Sequence, residues 1–279
     1  MCRLLGYATR RPTTLAELIG EDELAEFTEL SQLHGDGWGF GWATADGVQI
    51  FKAPDSARHS REFGRHARGH RSDLGLAHLR WATLNLAVGA GNTHPFTDGT
   101  IAFAHNGSIR DAESLDALIP ADLLATRRGT TDSERYFLAV LAEARQSELP
   151  AALATTVQRI AARHEFNGLN AIIATSTQLI AVCRYTASPD AAVEDTEYYD
   201  LRYRVTDEGV IVSSSGWGAG WTSIRNGEIL VVNRETLSVT VRTLADTSAT
   251  ATTPPESALT STPAISGSGS AAAAVAVSR

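Results

Sequence analysis

The residues best suited to chemistry lie in the first half of the chain, and Cys2, directly after Met1, comes first. A residue as small as Cys permits removal of the initiator Met. The new terminus then carries a thiol and a free α-amine on one residue. Such an amine titrates at about 7.7–8.0 when unperturbed, so a fraction is neutral near pH 7. A neutral amine can take the thiol proton, directly or through one water, and later pass it to a leaving amine. Cys2 alone would thus supply nucleophile and base. The competing reading is a small buried hydrophobe on the first strand.

Four further segments offer complementary groups. His78-Leu79-Arg80-Trp81-Ala82-Thr83 ends an expected strand. An Arg there can hold a carboxylate through two parallel hydrogen bonds, and Thr83 adds a hydroxyl. An ordinary structural salt bridge of Arg80 is the alternative. Asn92-Thr93-His94-Pro95-Phe96 reads as a loop, with the residue before Pro held extended. His105-Asn106-Gly107 ends another strand. The Asn106 amide and the Gly107 backbone N–H can together stabilise a developing oxyanion, although Asn-Gly is also a common turn. Asp132 opens a helix, where its carboxylate serves as an N-cap or as a partner for a substrate ammonium. The glycine-rich run Gly35 to Gly41 enters a strand and lacks Gly-Lys-Ser/Thr, so it makes a poor phosphate loop. Its Trp38 is a candidate pocket wall.

The elements that must position these groups follow from hydropathy. Strands are expected at Leu4–Thr9, Leu74–Leu79 and Ile101–Ala104, with a hairpin of Phe40–Ala43 and Val48–Ala53 turning at Asp46-Gly47. Helices are expected at Leu24–Leu33, after Asp132 and at Leu149–His164. Strands return at Ala171–Ala174, Leu179–Arg184, Tyr199–Val205, Val210–Ser214, Ile229–Val232 and Val239–Val241. Strands, then helices, then strands predict a layered α+β domain with two sheets. From Asp246 to Arg279, Ser, Thr, Ala, Pro and Gly dominate and aromatics are absent. That composition predicts a disordered tail behind a domain of residues 1–245.

Composition narrows the function classes. A net charge of −8 over 279 residues gives no basic surface for nucleic acid. The basic run from Arg58 to Arg71, with His59, His66 and His70, reads as a solvated helix face. Two cysteines, Cys2 and Cys183, do not make a disulfide framework, and the residues before Cys2 are no signal peptide. A cytoplasmic protein without a membrane span is expected. The eight His lack a His-x-x-x-His pair followed by Glu in the metalloprotease pattern, and there is no Cys-x-x-Cys, so no metal or other cofactor is expected.

Taken in order, Met1-Cys2, Gly35-Asp36-Gly37-Trp38-Gly39, His78 to Thr83, Asn92 to Phe96, His105-Asn106-Gly107 and Thr131-Asp132-Ser133-Glu134 resemble the class II glutamine amidotransferases, a branch of the N-terminal nucleophile hydrolases. The motifs cover the first half of the chain, and Ile211 to Ser214 and Trp221 to Val232 look like the second half of small stand-alone members, the type that includes the ergothioneine-pathway γ-glutamyl hydrolase. The resemblance implies a four-layer αββα sandwich. It implies that Cys2 is the nucleophile, that Arg80 with Thr83 binds the α-carboxylate of glutamine, and that Asp132 with Gly107 binds its α-ammonium. Asn106 and Gly107 would form the oxyanion hole, with Trp81 and Trp38 as further substrate-binding residues. The implied partner is a small γ-glutamyl substrate. No synthase domain follows, so ammonia would pass to a separate synthase or be released. Where relatives carry an acidic residue and Pro after the late Ser-Ser, this chain has Ser215-Gly216.

Two other readings compete. One is hydrolysis of a different amide, which would not need both Arg80 and Asp132. The other is a silent glutamine-binding module, which would not need the nucleophile.

Overall fold

The structure, a computed structural model, describes residues 2–32, 35–82, 87–186 and 199–249. Two antiparallel sheets stack face to face. The first holds β1 (Arg3–Thr13), β2 (Trp38–Ala43), β3 (Val48–Ala53), β4 (Ser72–Leu79), β9 (Leu201–Val205), β10 (Gly209–Ser213) and β11 (Thr222–Ile224), in the order β11-β9-β10-β1-β4-β2-β3. The second holds β5 (Phe96–Thr97), β6 (Ile101–Asn106), β7 (Asn170–Thr175), β8 (Gln178–Cys183), β12 (Glu228–Asn233) and β13 (Val239–Thr243), in the order β13-β12-β8-β7-β6-β5.

Alternation along the strands sorts side chains into three apolar layers. Between the sheets, Leu4, Ala8, Leu74, Leu76 and Val212 meet Ala102, Ile172, Ala174, Leu179 and Leu230. Outside the first sheet, Leu5, Tyr7, Phe40 and Leu79 pack on helices α1 (Leu15–Ile19), α2 (Glu21–Glu29) and α3 (Arg61–Gly69). Outside the second, Phe103, Ile173 and Val182 pack on α5 (Asp132–Ala144) and α6 (Leu149–Arg163). A short α4 (Ala121–Leu124) precedes α5. The layers make the expected four-layer αββα sandwich. Each fully buried Leu or Ile contributes about 1.5–3 kcal/mol by leaving water.

The strand expectations hold to within a few residues. The hairpin forms in the register Ala43↔Val48, with Gly47 in its turn. Three details differ. The chain around Tyr199 is a turn, and the strand begins at Leu201. The N-cap of α5 is Thr131, whose hydroxyl accepts the Glu134 N–H at 3.1 Å, so Asp132 is the first helical residue and its carboxylate is free for other work. The expected tail boundary falls inside α7 (Leu244–Ala249), where Leu244 and Thr247 are buried. Residues 250–279 lie outside the described residues. Among the described residues, no helix is long and apolar enough to cross a membrane.

Candidate functional site

Strand parity decides which residues meet. On β1, Leu4 and Ala8 point between the sheets, and Cys2, at the end of the strand, has the same parity. On β4, Leu74 and Leu76 point inward, which gives His78 and the following Arg80 that face as well. Register brings the ends of the two strands together, with Leu4 opposite His78. Main-chain hydrogen bonds then hold the segment after β4. Arg80 N–H donates to Gly37 O at 2.7 Å, Asp36 N–H donates to Arg80 O at 3.1 Å, and the Asp36 carboxylate accepts Ala82 N–H at 2.8 Å.

Cys2 is 7% exposed and unbridged, and its thiol donates to Trp81 O over 3.8 Å. Burial pushes the thiol up from its ordinary value, while its hydrogen bond to the Trp81 carbonyl and the charge of Arg80 pull it down. Arg80 is buried. Among the described residues its guanidinium donates to the Asp36 and Ala87 carbonyls, at 3.2 and 3.4 Å, and no described carboxylate forms an ion pair with it. Burial lowers its pKa from the ordinary value, although a guanidinium remains a cation. The charges of Cys2, Asp36 and Asp132 all act on it, so Arg80, Cys2 and Asp132 share one electrostatic neighbourhood.

Asp132 comes from the second sheet's side. One carboxylate oxygen accepts Ile109 N–H at 2.7 Å, and the other accepts the Ser133 hydroxyl at 3.4 Å. The same hydroxyl meets His105 Nδ1 at 2.9 Å, tying α5 to β6. Asn106 ends β6 fully buried, and neither its amide nitrogen nor its oxygen has a hydrogen-bond partner. Leaving such a group unsatisfied costs about 1–3 kcal/mol. Gly107 has φ of 150°, and a Cβ on it would collide with the Gly168 carbonyl. Only glycine lets its backbone lie at that place.

His94 sits in the loop ahead of β5, before a cis bond to Pro95. Its ring lies against His78, with centroids 4.2 Å apart. Lys52 Nζ fastens this loop by donating to Thr93 O at 2.6 Å and Pro95 O at 3.1 Å. A Cβ on Gly39 would strike the His94 carbonyl, so the glycine-rich run makes room for this loop. Asn92 ties the same loop to the segment leading into α5 by accepting Thr130 N–H at 2.8 Å.

Three expected site residues stand apart. Trp38 lies on the opposite face of its sheet from Cys2, fully buried among Phe40, Phe51 and Phe63, and its indole N–H donates to Asp55 at 2.8 Å. It is a core residue of the outer layer and walls no pocket at Cys2. The Trp81 side chain is 42% exposed, and its carbonyl is what meets Cys2. Thr83 lies outside the described residues. The basic run also differs from a purely solvated face, since the His66 ring packs on Phe51 at 4.2 Å. A cleft of about 1100 Å³ behind the His94 loop, lined by Lys52, Phe96, Arg128 and Glu134, contains none of Cys2, Arg80, Asn106 or Asp132.

Sequence reasoning passed over Asp36, Lys52 and Ser214, which hold the site. Asp36 lies inside a motif quoted for its glycines, and Ser214 inside a strand end quoted for its likeness. Lys52 carries no local signal, because its partners are 41 and 43 residues away.

The model of the glutamine amidotransferases class-II matches residues 1–256. The chain is 26% identical over 230 residues to the γ-glutamyl-hercynylcysteine sulfoxide hydrolase of Mycobacterium tuberculosis, covering 78% of this chain and 88% of that one. It is 28% identical over 157 residues to the probable glutamine amidotransferase DUG3 of Saccharomyces cerevisiae, covering 49% of this chain but only 44% of the yeast protein. In structure it is similar to a glutamine aminotransferase class-II domain protein from Silicibacter pomeroyi, with a TM-score of 0.62 at 23% identity over 87% of this chain and 99% of that one. It is similar also to the glutamine phosphoribosylpyrophosphate amidotransferase of B. subtilis, with a TM-score of 0.59 at 16% identity over 87% of this chain and 49% of that one. The family model spans most of the chain, which belongs to the class II glutamine amidotransferases.

Proposed function

We propose that the chain cleaves the side-chain amide of glutamine or of a larger γ-glutamyl compound through a thioester on Cys2. One observation carries this reading: the buried Arg80 cation has no carboxylate partner among the described residues and shares its surroundings with Cys2 and Asp132. A γ-glutamyl group has a zwitterionic end that needs one cation and one anion, and an amide carbon that needs a nucleophile. A neutral acyl group would leave Arg80 and Asp132 without purpose.

The steps follow from the groups present. With Met1 removed, the Cys2 α-amine takes the thiol proton, and Sγ attacks the amide carbon. The carbonyl oxygen becomes an oxyanion that accepts from the Asn106 amide and the Gly107 N–H. The C–N bond breaks as the amine proton passes to the departing nitrogen. Water then attacks the thioester, giving its proton to the α-amine. Glutamate leaves and the thiol is restored. Arg80 with Thr83 would orient the α-carboxylate, and Asp132 the α-ammonium. The hydrolase relative from Mycobacterium tuberculosis supports a γ-glutamyl amide with a bulky leaving amine. With glutamine, a separate synthase would receive the ammonia.

The test is a glutamine analogue bearing a γ-diazoketone. Intact and N-terminal peptide masses should show loss of Met1 and one adduct on Cys2, and unlabelled glutamate-like ligands should protect. A Met1-free protein whose Cys2 stays unmodified by this analogue and by γ-glutamyl amides would refute the proposal.

A further inference from the structure

Cys2, His78 and His94 form a buried trio from three separate parts of the chain: the start of β1, the end of β4 and the loop before β5. One ligand atom of each, the thiol sulfur and an imidazole nitrogen from each His, lies within 4.8 Å of the others. Both ring nitrogens of His94 are buried and without a hydrogen-bond partner, in a residue only 3% exposed. The loop that carries it is fastened by Lys52 and fitted against Gly39. A buried, held imidazole with no partner is a group in want of one.

We propose that Cys2, His78 and His94 bind a Zn²⁺-like cation that occupies the nucleophile and holds the enzyme off. The donor set selects the metal class. One thiolate and two imidazoles suit Zn²⁺ and its borderline-soft neighbours, whereas Mg²⁺ and Ca²⁺ prefer oxygen. A tetrahedral Zn²⁺ with bonds of about 2.3 Å to sulfur and about 2.0–2.1 Å to nitrogen needs donors roughly 3.3–3.6 Å apart. Metal binding would draw the three donors, now within 4.8 Å of one another, in to that size. The fourth position falls to the Cys2 α-amine, which closes a five-membered ring with the sulfur. That part rests on the processed terminus of the proposed mechanism. Binding displaces one proton from the thiol and uses the same sulfur and amine as catalysis, so metal and acyl group exclude each other. Asp132 favours the added charge and Arg80 opposes it, which keeps the site reversible.

The experiment uses full-length protein lacking Met1 and Co²⁺ as a spectroscopic substitute. One equivalent of Co²⁺ should give a thiolate-to-cobalt charge-transfer band with intense visible bands of a tetrahedral site, and Zn²⁺ should bleach them. The Cys2→Ala variant should lose the charge-transfer band. His94→Gln and, separately, His78→Asn should weaken binding by more than the roughly 10–100-fold that loss of an outer-shell partner costs. Thermal melts establish that each variant is folded. A missing band, or a band that survives both His substitutions in folded protein, overturns the proposal. Diazoketone labelling of metal-free protein tests the hydrolase reading independently, and Zn²⁺ should slow that labelling in wild type but not in a folded His94→Gln variant.

Discussion

Ser214 grips Leu4 from both directions: its hydroxyl accepts the Leu4 N–H at 2.9 Å, and its own N–H donates to the Leu4 carbonyl at 3.0 Å. The gripped residue is two places from Cys2, and the gripping one is 210 residues further along. Ser214→Ala should therefore strand a buried N–H at a cost of about 1–3 kcal/mol. It should also slow acylation of Cys2 more than it weakens substrate binding. A melt combined with single-turnover acylation reads both, and a variant with wild-type acylation would show that the grip is only structural.

Arg80 should behave as a carboxylate receptor. Truncating one member of a buried, hydrogen-bonded charge pair costs about 2–5 kcal/mol, so Arg80→Ala should lower kcat/KM by roughly 30- to 5000-fold. Arg80→Lys should restore little, because a point charge lacks the two-pronged geometry. A substrate whose α-carboxylate is capped as an amide should lose as much on wild type but almost nothing further on Arg80→Ala. Additive losses would mean that Arg80 touches something else.

Lys52 supplies a pH dependence. Burial lowers its amine from 10.5 to about 8. Between about pH 8 and 10.5 the unfolded chain therefore holds more protons than the folded one, and stability rises with pH across that window. The gain is full above about 10.5, is lost as pH falls to about 8, and is constant below. Wild type should become steadily more stable than Lys52→Met from pH 8 upward in urea titrations. A difference that stays flat with pH would contradict this assignment.

Trp38 gives the opposite kind of test. Replacing it with Phe removes the hydrogen bond to Asp55 and leaves a cavity in the outer layer. The variant should melt earlier by an amount worth about 1–3 kcal/mol, with KM unchanged. A raised KM at unchanged stability would return Trp38 to the substrate.

Much of the architecture was legible because it rests on local patterns. The apolar runs at Leu4–Thr9 and Ile101–Ala104, and the Asp46-Gly47 turn, place strands to within a few residues. The helix α1 was passed over, since five residues carry too little periodicity, although Thr14 and Glu17 form its capping box. The site was legible as residue types and less so as geometry. Trp38 looked available because its neighbours in sequence are site residues, but strand parity turns it to the far face. The Cys2–His78–His94 trio was invisible to a search for closely spaced ligands, because the pairings β1–β4 and β2–β4 bring it together. Asp132 was read correctly as the start of a helix, yet the capping duty belongs to Thr131.

The first strand is clasped along both edges, by β10 on one side and β4 on the other. A slip of one place would exchange the faces of every residue on it, turning Cys2 outward and Arg3 inward. There is accordingly no half-right setting of this strand. A preparation that loses activity through errors in β4 or β10 should contain a mixture of fully working and wholly inert molecules, and counting active sites by titration, not averaging a rate, would be the way to see it.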